Sequence, residues 1–162
     1  MKQHTLRINY VEYDSTEMLL PADHQLLEKA TLACKSAYAP YSGFSVGTAL
    51  LLADGKVILG NNQENSVYPS GLCAERVALF AASANHPGIP ILSIAITATT
   101  DRFVMDGPVT PCGSCRQVLA EYEQLHGQPI RIIMSGSSGN VRIIEGTDGL
   151  LPFLFHAEQL KK

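Results

Sequence analysis

Ile91-Leu92-Ser93-Ile94-Ala95-Ile96-Thr97, then Pro111-Cys112-Gly113-Ser114-Cys115-Arg116-Gln117, then Ile130-Arg131-Ile132-Ile133-Met134 are the runs that decide the fold when read in order. The first and third are short, apolar and rich in β-branched residues, the pattern of strands covered on both faces. Between them Pro111 precedes a predicted helix that turns Val118, Leu119, Tyr122 and Leu125 inward. Strand, helix, strand predicts a parallel crossover. Upstream, Phe44 to Ala53 and Lys56 to Gly60 flank Asp54-Gly55, the pattern of a β-hairpin. Downstream, Val141 to Ile144 follows a Gly/Ser turn as a further strand, and Leu150 to Leu160 is predicted as a short terminal helix. The expected architecture is α/β, a three-layer α/β/α sandwich around a mixed sheet of about five strands.

Two more helices complete the layers. Asp23 is the predicted N-cap of one whose apolar residues Leu26, Leu27, Ala30, Ala33, Cys34 and Ala37 recur at helical spacing until Pro40. The other runs from Cys73 to about Ala84 and is apolar on every face except for Glu75 and Arg76, which predicts a buried helix. At the N-terminus, His4 to Tyr13 alternates Leu6, Ile8 and Tyr10 with polar neighbours, as an edge strand or ordered arm would. Residues 1–20 are set apart as that arm, and residues 21–162 as the main domain.

A chain of 162 residues is long enough for one domain that removes roughly 70% of its unfolded surface from water. It is 46% hydrophobic and 17% charged, with a net charge of −3 and no lysine or arginine cluster. That balance argues against a nucleic-acid partner and for a small substrate. No run approaches the ~20 apolar residues that span a bilayer, and the first residues lack the apolar stretch of a signal peptide. The expectation is a cytoplasmic protein with no membrane contact. Four cysteines in such a chain point to metal or catalysis before disulfides.

The chemistry gathers around three of them. Cys112 and Cys115 are three apart at a helix start, so both thiols fall on one face. Cys73, far upstream, also opens a helix, and two helix N-termini facing each other favour thiolates. Three cysteine ligands can hold a zinc ion and leave its fourth position open for water, whereas a structural site closes all four with protein groups. Glu75, two positions from Cys73 in an apolar helix, is the candidate proton carrier, with a pKa raised by burial. Three thiolates place much charge on the ion, and Arg76 beside them is the candidate donor to a ligating sulfur. Cys34 lies on a core stripe and reads as a small apolar residue.

Cys73-Ala74-Glu75-Arg76 with Pro111-Cys112-Gly113-Ser114-Cys115-Arg116-Gln117 resembles the small zinc-dependent cytidine deaminases. The likeness continues through Tyr41 to Gly47, Asn62-Gln63-Glu64-Asn65 and Leu150-Leu151-Pro152, and leaves about the first 20 residues outside it. It implies zinc on Cys73, Cys112 and Cys115, catalysis by Glu75, and hydrolysis of cytidine and 2′-deoxycytidine to the uridines and ammonia, a role in pyrimidine salvage. Asn62 and Glu64 would hold the ribose 3′-hydroxyl, Phe44 would stack on the pyrimidine, and Ala74 would meet the base through its main chain. Tyr68 matches a tyrosine near the ribose. Phe155 matches a terminal aromatic that reaches a neighbouring pocket in a homotetramer, with Phe153 two positions away as its rival. The apolar cluster Leu150, Leu151, Phe153, Leu154 and Phe155 gives assembly a physical reason, since such a patch calls for cover. Related deaminases of a cytosine-bearing antibiotic share the zinc motif but lack the Asn62 to Asn65 clamp. A non-catalytic zinc module would need a fourth ligand, with Cys34 or His86 as candidates.

Overall fold

The computed structural model describes residues 1–155 and Leu160. In chain order the elements are β1 (Val11–Tyr13), α1 (Pro21–Cys34), β2 (Ser45–Leu52), β3 (Val57–Asn61), α2 (Ala74–Asn85), β4 (Ile91–Thr99), α3 (Gly113–His126), β5 (Arg131–Ser135) and β6 (Val141–Glu145). The strands form one mixed sheet in the order β1-β6-β5-β4-β2-β3. Only β4 and β5 run parallel, joined by the α3 crossover, and every other neighbouring pair is antiparallel. The sixth strand, beyond the five expected, is β1 at the sheet edge, where Val11 faces Ile143.

Alternation along the strands sorts the core into two layers. Leu50, Leu52, Ile94, Ile96, Ile132 and Met134 pack with Ala78, Leu79 and Ala82 of α2 and Leu119 of α3. Their neighbours Ala49, Ala95, Ile133 and Ile143 pack with Leu26, Leu27 and Ala30 of α1 on the opposite face. Burying each such leucine or isoleucine contributes about 1.5–3 kcal/mol. The result is the three-layer sandwich read from the sequence.

Two glycines set how closely the helices approach. A Cβ at Gly47 would lie 2.0 Å from the Ala30 carbonyl oxygen, so this position lets α1 lie flat on β2. A Cβ at Gly60 would lie 2.4 Å from the carbonyl oxygen of Ala74. That bare spot on β3 fixes the first turn of α2, the turn that carries Glu75.

Several expectations are corrected. Helix α1 starts at Pro21, with Leu20 at the N-cap, and not at Asp23. The fixed φ of proline suits the first helical position. Asp23 is buried and instead meets Arg131 of β5 at 2.8 Å, and Arg131 also pairs with Glu145. Helix α2 is buried on one face only, since Phe80 is 44% exposed. Leu125 of α3 is 68% exposed. Leu150 to Phe155 forms turns and irregular chain in place of a helix, and residues 156–159 of that predicted helix lie outside the described residues.

Candidate active site

Cys73 occupies the N-cap of α2 and Cys112 the N-cap of α3, while Cys115 sits within the first turn of α3. Neither N-cap thiol caps its own helix, so both are free to face outward from the helix ends. The sulfurs of Cys73 and Cys112 are 3.8 Å apart and those of Cys112 and Cys115 3.5 Å apart. All three lie within 4.8 Å of one another. Sulfurs at the corners of a tetrahedron around zinc, with the usual Zn–S bond, are separated by roughly 3.8 Å. The thiols therefore fit zinc as they stand. They are also the whole metal-competent group among the described residues. Cys34 is engaged with the carbonyls of Ala30 and Thr97, and His86 caps the far end of α2.

The electrostatics suit a metal that binds thiolates. Cys73 is pulled down to about 5, first by hydrogen bonding from the Cys115 thiol, with Arg76 and Cys112 adding to it. Cys115 is pushed up, since it donates that proton and is buried. Nη2 of Arg76 lies 3.8 Å from the Cys73 sulfur, and its Nε is buried with no hydrogen-bond partner among the described residues. Glu75 is 4% exposed. Burial, and after it the charge on Cys73, raises its carboxyl to about 6. A carboxyl so placed can accept and release protons near neutral pH.

Above the thiols opens a cleft of about 730 Å³, with Cys73, Glu75, Arg76 and Cys112 at its floor. Phe44 and Val46 form a wall, and Asn62, Glu64 and Tyr68 contribute to the lip. The Asn62 amide accepts from the Val46 N–H at 2.8 Å and donates to the Phe44 carbonyl at 2.9 Å, which pins the start of β2. Glu64 accepts from the N–H groups of Tyr41 and Ser42 at 2.9 and 3.3 Å and from the Ser42 hydroxyl. The Ser42 hydroxyl bond first, and the two N–H bonds with it, hold its carboxyl below the usual range against the opposing effect of burial. Tyr68 is exposed and meets Tyr41 edge-on, with ring centroids 5.9 Å apart.

The side chains of Ala74, Phe155 and its rival Phe153 are not among those lining the cleft. Ala74 is fully buried with its carbonyl against Gly60. Phe155 is 56% exposed and Phe153 97% exposed, and neither lines the cleft. The segment that bears them is tied to α3. Arg116 donates to the Pro111 and Leu150 carbonyls, both at 2.8 Å, and Gln117 donates to the Phe155 carbonyl at 2.9 Å. Sequence reading quoted Arg116 and Gln117 without a role, and it gave none to Ser42 or Arg102. Ser42 could have been found from Ser42-Gly43, a turn signal beside a site residue.

An open trio of thiols at facing helix ends, beside a carboxyl buried on an α/β/α sheet, places the chain among zinc-dependent hydrolases. Residues 21–126 match the family described as the cytidine and deoxycytidylate deaminase zinc-binding region, and the chain belongs to that family. It is 42% identical over 135 residues to a cytidine deaminase of Halalkalibacterium halodurans, covering 83% of this chain and 95% of the relative. A cytidine deaminase of Mycobacterium tuberculosis is 40% identical over 111 residues, 67% of this chain and 79% of the relative. Among solved structures, the cytidine deaminase from Burkholderia pseudomallei superposes with a TM-score of 0.70 at 41% identity, covering 82% of this chain and 98% of that one.

Proposed function

We propose that this chain hydrolyses cytidine and 2′-deoxycytidine to uridine and 2′-deoxyuridine with release of ammonia. The observation that carries the reading is the meeting of three thiols at zinc spacing, two of them at the floor of one cleft, with a buried carboxyl raised to about 6. Cys73, Cys112 and Cys115 would hold the zinc, which would supply a Lewis acid to ready water for attack on the amidine carbon of the base. Glu75 takes up a proton as water adds and passes it to the ring nitrogen, then moves the remaining proton of the added hydroxyl to the departing amine as the carbonyl forms and the C–N bond breaks. Arg76 steadies the charge on Cys73. Phe44 offers its ring face to the pyrimidine, Ala74 its main chain, and Asn62 and Glu64 their polar ends to the ribose, with Tyr68 at the lip.

Four further readings belong to the same proposal. Residues 21–162 are the deaminase domain and residues 1–20 an arm on the sheet edge. The protein is cytoplasmic and serves pyrimidine salvage. No helix of the described residues is long and apolar enough to cross a membrane. It assembles as a homotetramer in which Phe155 reaches a neighbouring site; the exposed Phe80 of α2 and the exposed Phe153 and Phe155 support this, being apolar groups without cover.

An ultraviolet assay with cytidine, 2′-deoxycytidine, cytosine, CMP and adenosine tests the reading. Turnover of both nucleosides, with cytosine and adenosine inert, is the expected result. Cytosine turned over as well as cytidine would remove the ribose contacts, and no ammonia from any cytosine compound would remove the activity.

A further inference from the structure

We infer that Phe103, carried by the loop that leads from β4 to Cys112 and anchored by Arg102, is a positioning residue that backs the Phe44 ring and so sets affinity for a planar base. The inference rests on the proposed nucleoside chemistry and concerns two residues to which that reading gives no role. The rings of Phe44 and Phe103 stack with centroids 5.9 Å apart and an interplanar angle of 15°. Phe44 lines the cleft and Phe103 does not, so the offset stack with Phe103 supports the Phe44 ring from outside the cleft lining. A base entering against Phe44 then completes a run of three parallel planes.

Phe103 is 55% exposed, so core packing does not account for where it sits. The neighbouring residue does. Arg102 donates from Nη1 to the Tyr41 carbonyl at 2.9 Å, binding the loop to the turn that precedes Phe44. A Cβ at Gly43 would lie 2.2 Å from Nε of Arg102, and Gly43 has φ +66°, so this turn is shaped to admit the guanidinium. Glu64 grips the same turn from the lip through the Tyr41 and Ser42 N–H groups. Arg102 and Glu64 thus hold one turn from two sides, and Phe103 steadies the ring that follows it. With Phe103 gone, Phe44 gains rotational freedom that a bound base must remove again, which raises KM and leaves the chemical step alone.

The test is steady-state kinetics on the full chain with zinc bound, comparing parent, Phe103→Ala, Phe103→Leu and Phe103→Tyr. Phe103→Ala is expected to raise KM for cytidine roughly 3- to 10-fold, the range an aromatic pair commonly contributes, with kcat within about two-fold and zinc content unchanged. Phe103→Tyr should restore the parent KM, and Phe103→Leu, with bulk but no flat face, should not. An unchanged KM in Phe103→Ala overturns the inference while parental turnover leaves the activity standing. Rescue by leucine, or joint loss of kcat and zinc, overturns it too, by making Phe103 a packing residue. A parent with no cytidine turnover removes the activity and this inference together.

Discussion

At the floor of the cleft, Cys73 and Cys112 stand at the N-caps of two helices, Glu75 lies in the first turn of one of them and is itself buried, and Cys115 lies buried just beneath in the first turn of the other. At the lip, Asn62 and Glu64 come from the chain that follows β3 and are held by hydrogen bonds to Phe44, Val46, Tyr41 and Ser42, while Tyr68 opens a short 3-10 turn and meets the Tyr41 ring edge-on. The floor owes its geometry to helix periodicity and to Gly60, and the lip to polar contacts across 16 to 23 residues of chain. Damage to the floor should therefore abolish the chemistry, and damage to the lip should weaken binding. The largest effect is expected at the ligands. Cys112→Ser or Cys115→Ser should lose zinc and activity together, since a structural or catalytic zinc site rarely survives loss of one of three thiolates. Full zinc by metal analysis in either variant would break the distinction at its strongest point.

Glu75→Gln separates chemistry from metal within the floor itself. The amide keeps size and polarity in a site that is 4% exposed, so folding and zinc content should stay at parental levels. Turnover should fall by at least ~10²–10⁴-fold, the common contribution of one positioned proton carrier. Ammonia release at a comparable rate by the purified, zinc-loaded variant would take the proton role away from Glu75.

The same contrast explains what could be read from the chain. The floor was legible because its information is local. Cys112 and Cys115 sit three apart, a spacing that helix geometry converts into one face, and Cys73 with Glu75 two positions on opens an apolar helix. The sheet was legible because β4 and β5, covered on both faces, are nearly continuous apolar runs. Asp23 misled because an acid near a helix start resembles a cap, while its partner Arg131 is 108 residues away. Phe80 misled because an apolar helix residue looks buried whichever way it faces. The partners that shape the lip, Ser42 for Glu64 and Arg102 for the Tyr41 turn, are distant in sequence and carry no period, so that only the Ser42-Gly43 turn signal hints at the first and no local pattern announces the second.

Glu64→Ala tests the lip. Its carboxylate lines the cleft and holds the Tyr41 and Ser42 N–H groups, so removal loosens the turn along with the proposed grip on the ribose. KM for cytidine should rise about 10-fold or more, in line with the loss of hydrogen bonds to a charged group, with zinc content unchanged. A fall in kcat with KM unaltered would mean that lip and floor are one unit.

Phe155→Ala carries the comparison across subunits. Within one chain Phe155 is exposed and its carbonyl is anchored by Gln117, so its ring is free to serve another copy. If it covers a neighbour's cleft, KM should rise roughly 3- to 10-fold, as for loss of an aromatic contact. Light scattering should find a tetramer in the parent. A fully active parental monomer would return Phe155 to its own chain.

The smallest effect is expected at the fourth cysteine, which shows what a thiol does when it is not at a helix N-terminus. Cys34 is 4% exposed at the C-terminal end of α1, with its sulfur 3.6 Å from the Ala30 carbonyl oxygen and 3.7 Å from that of Thr97. Burial pushes this thiol above its ordinary pKa, the reverse of Cys73, so at neutral pH it stays protonated and apolar. The absent Cβ of Gly47 makes room for it, since a methyl there would come within 2.8 Å of the sulfur. In Cys34→Ser the hydroxyl can donate its one proton to either of these carbonyls, which offsets most of the cost of burying it and leaves a loss of about 1 kcal/mol. Zinc content and kcat should match the parent, and denaturant midpoints should shift only slightly. Zinc loss in Cys34→Ser would place a fourth thiol at the floor and close the open position on which the hydrolytic reading depends.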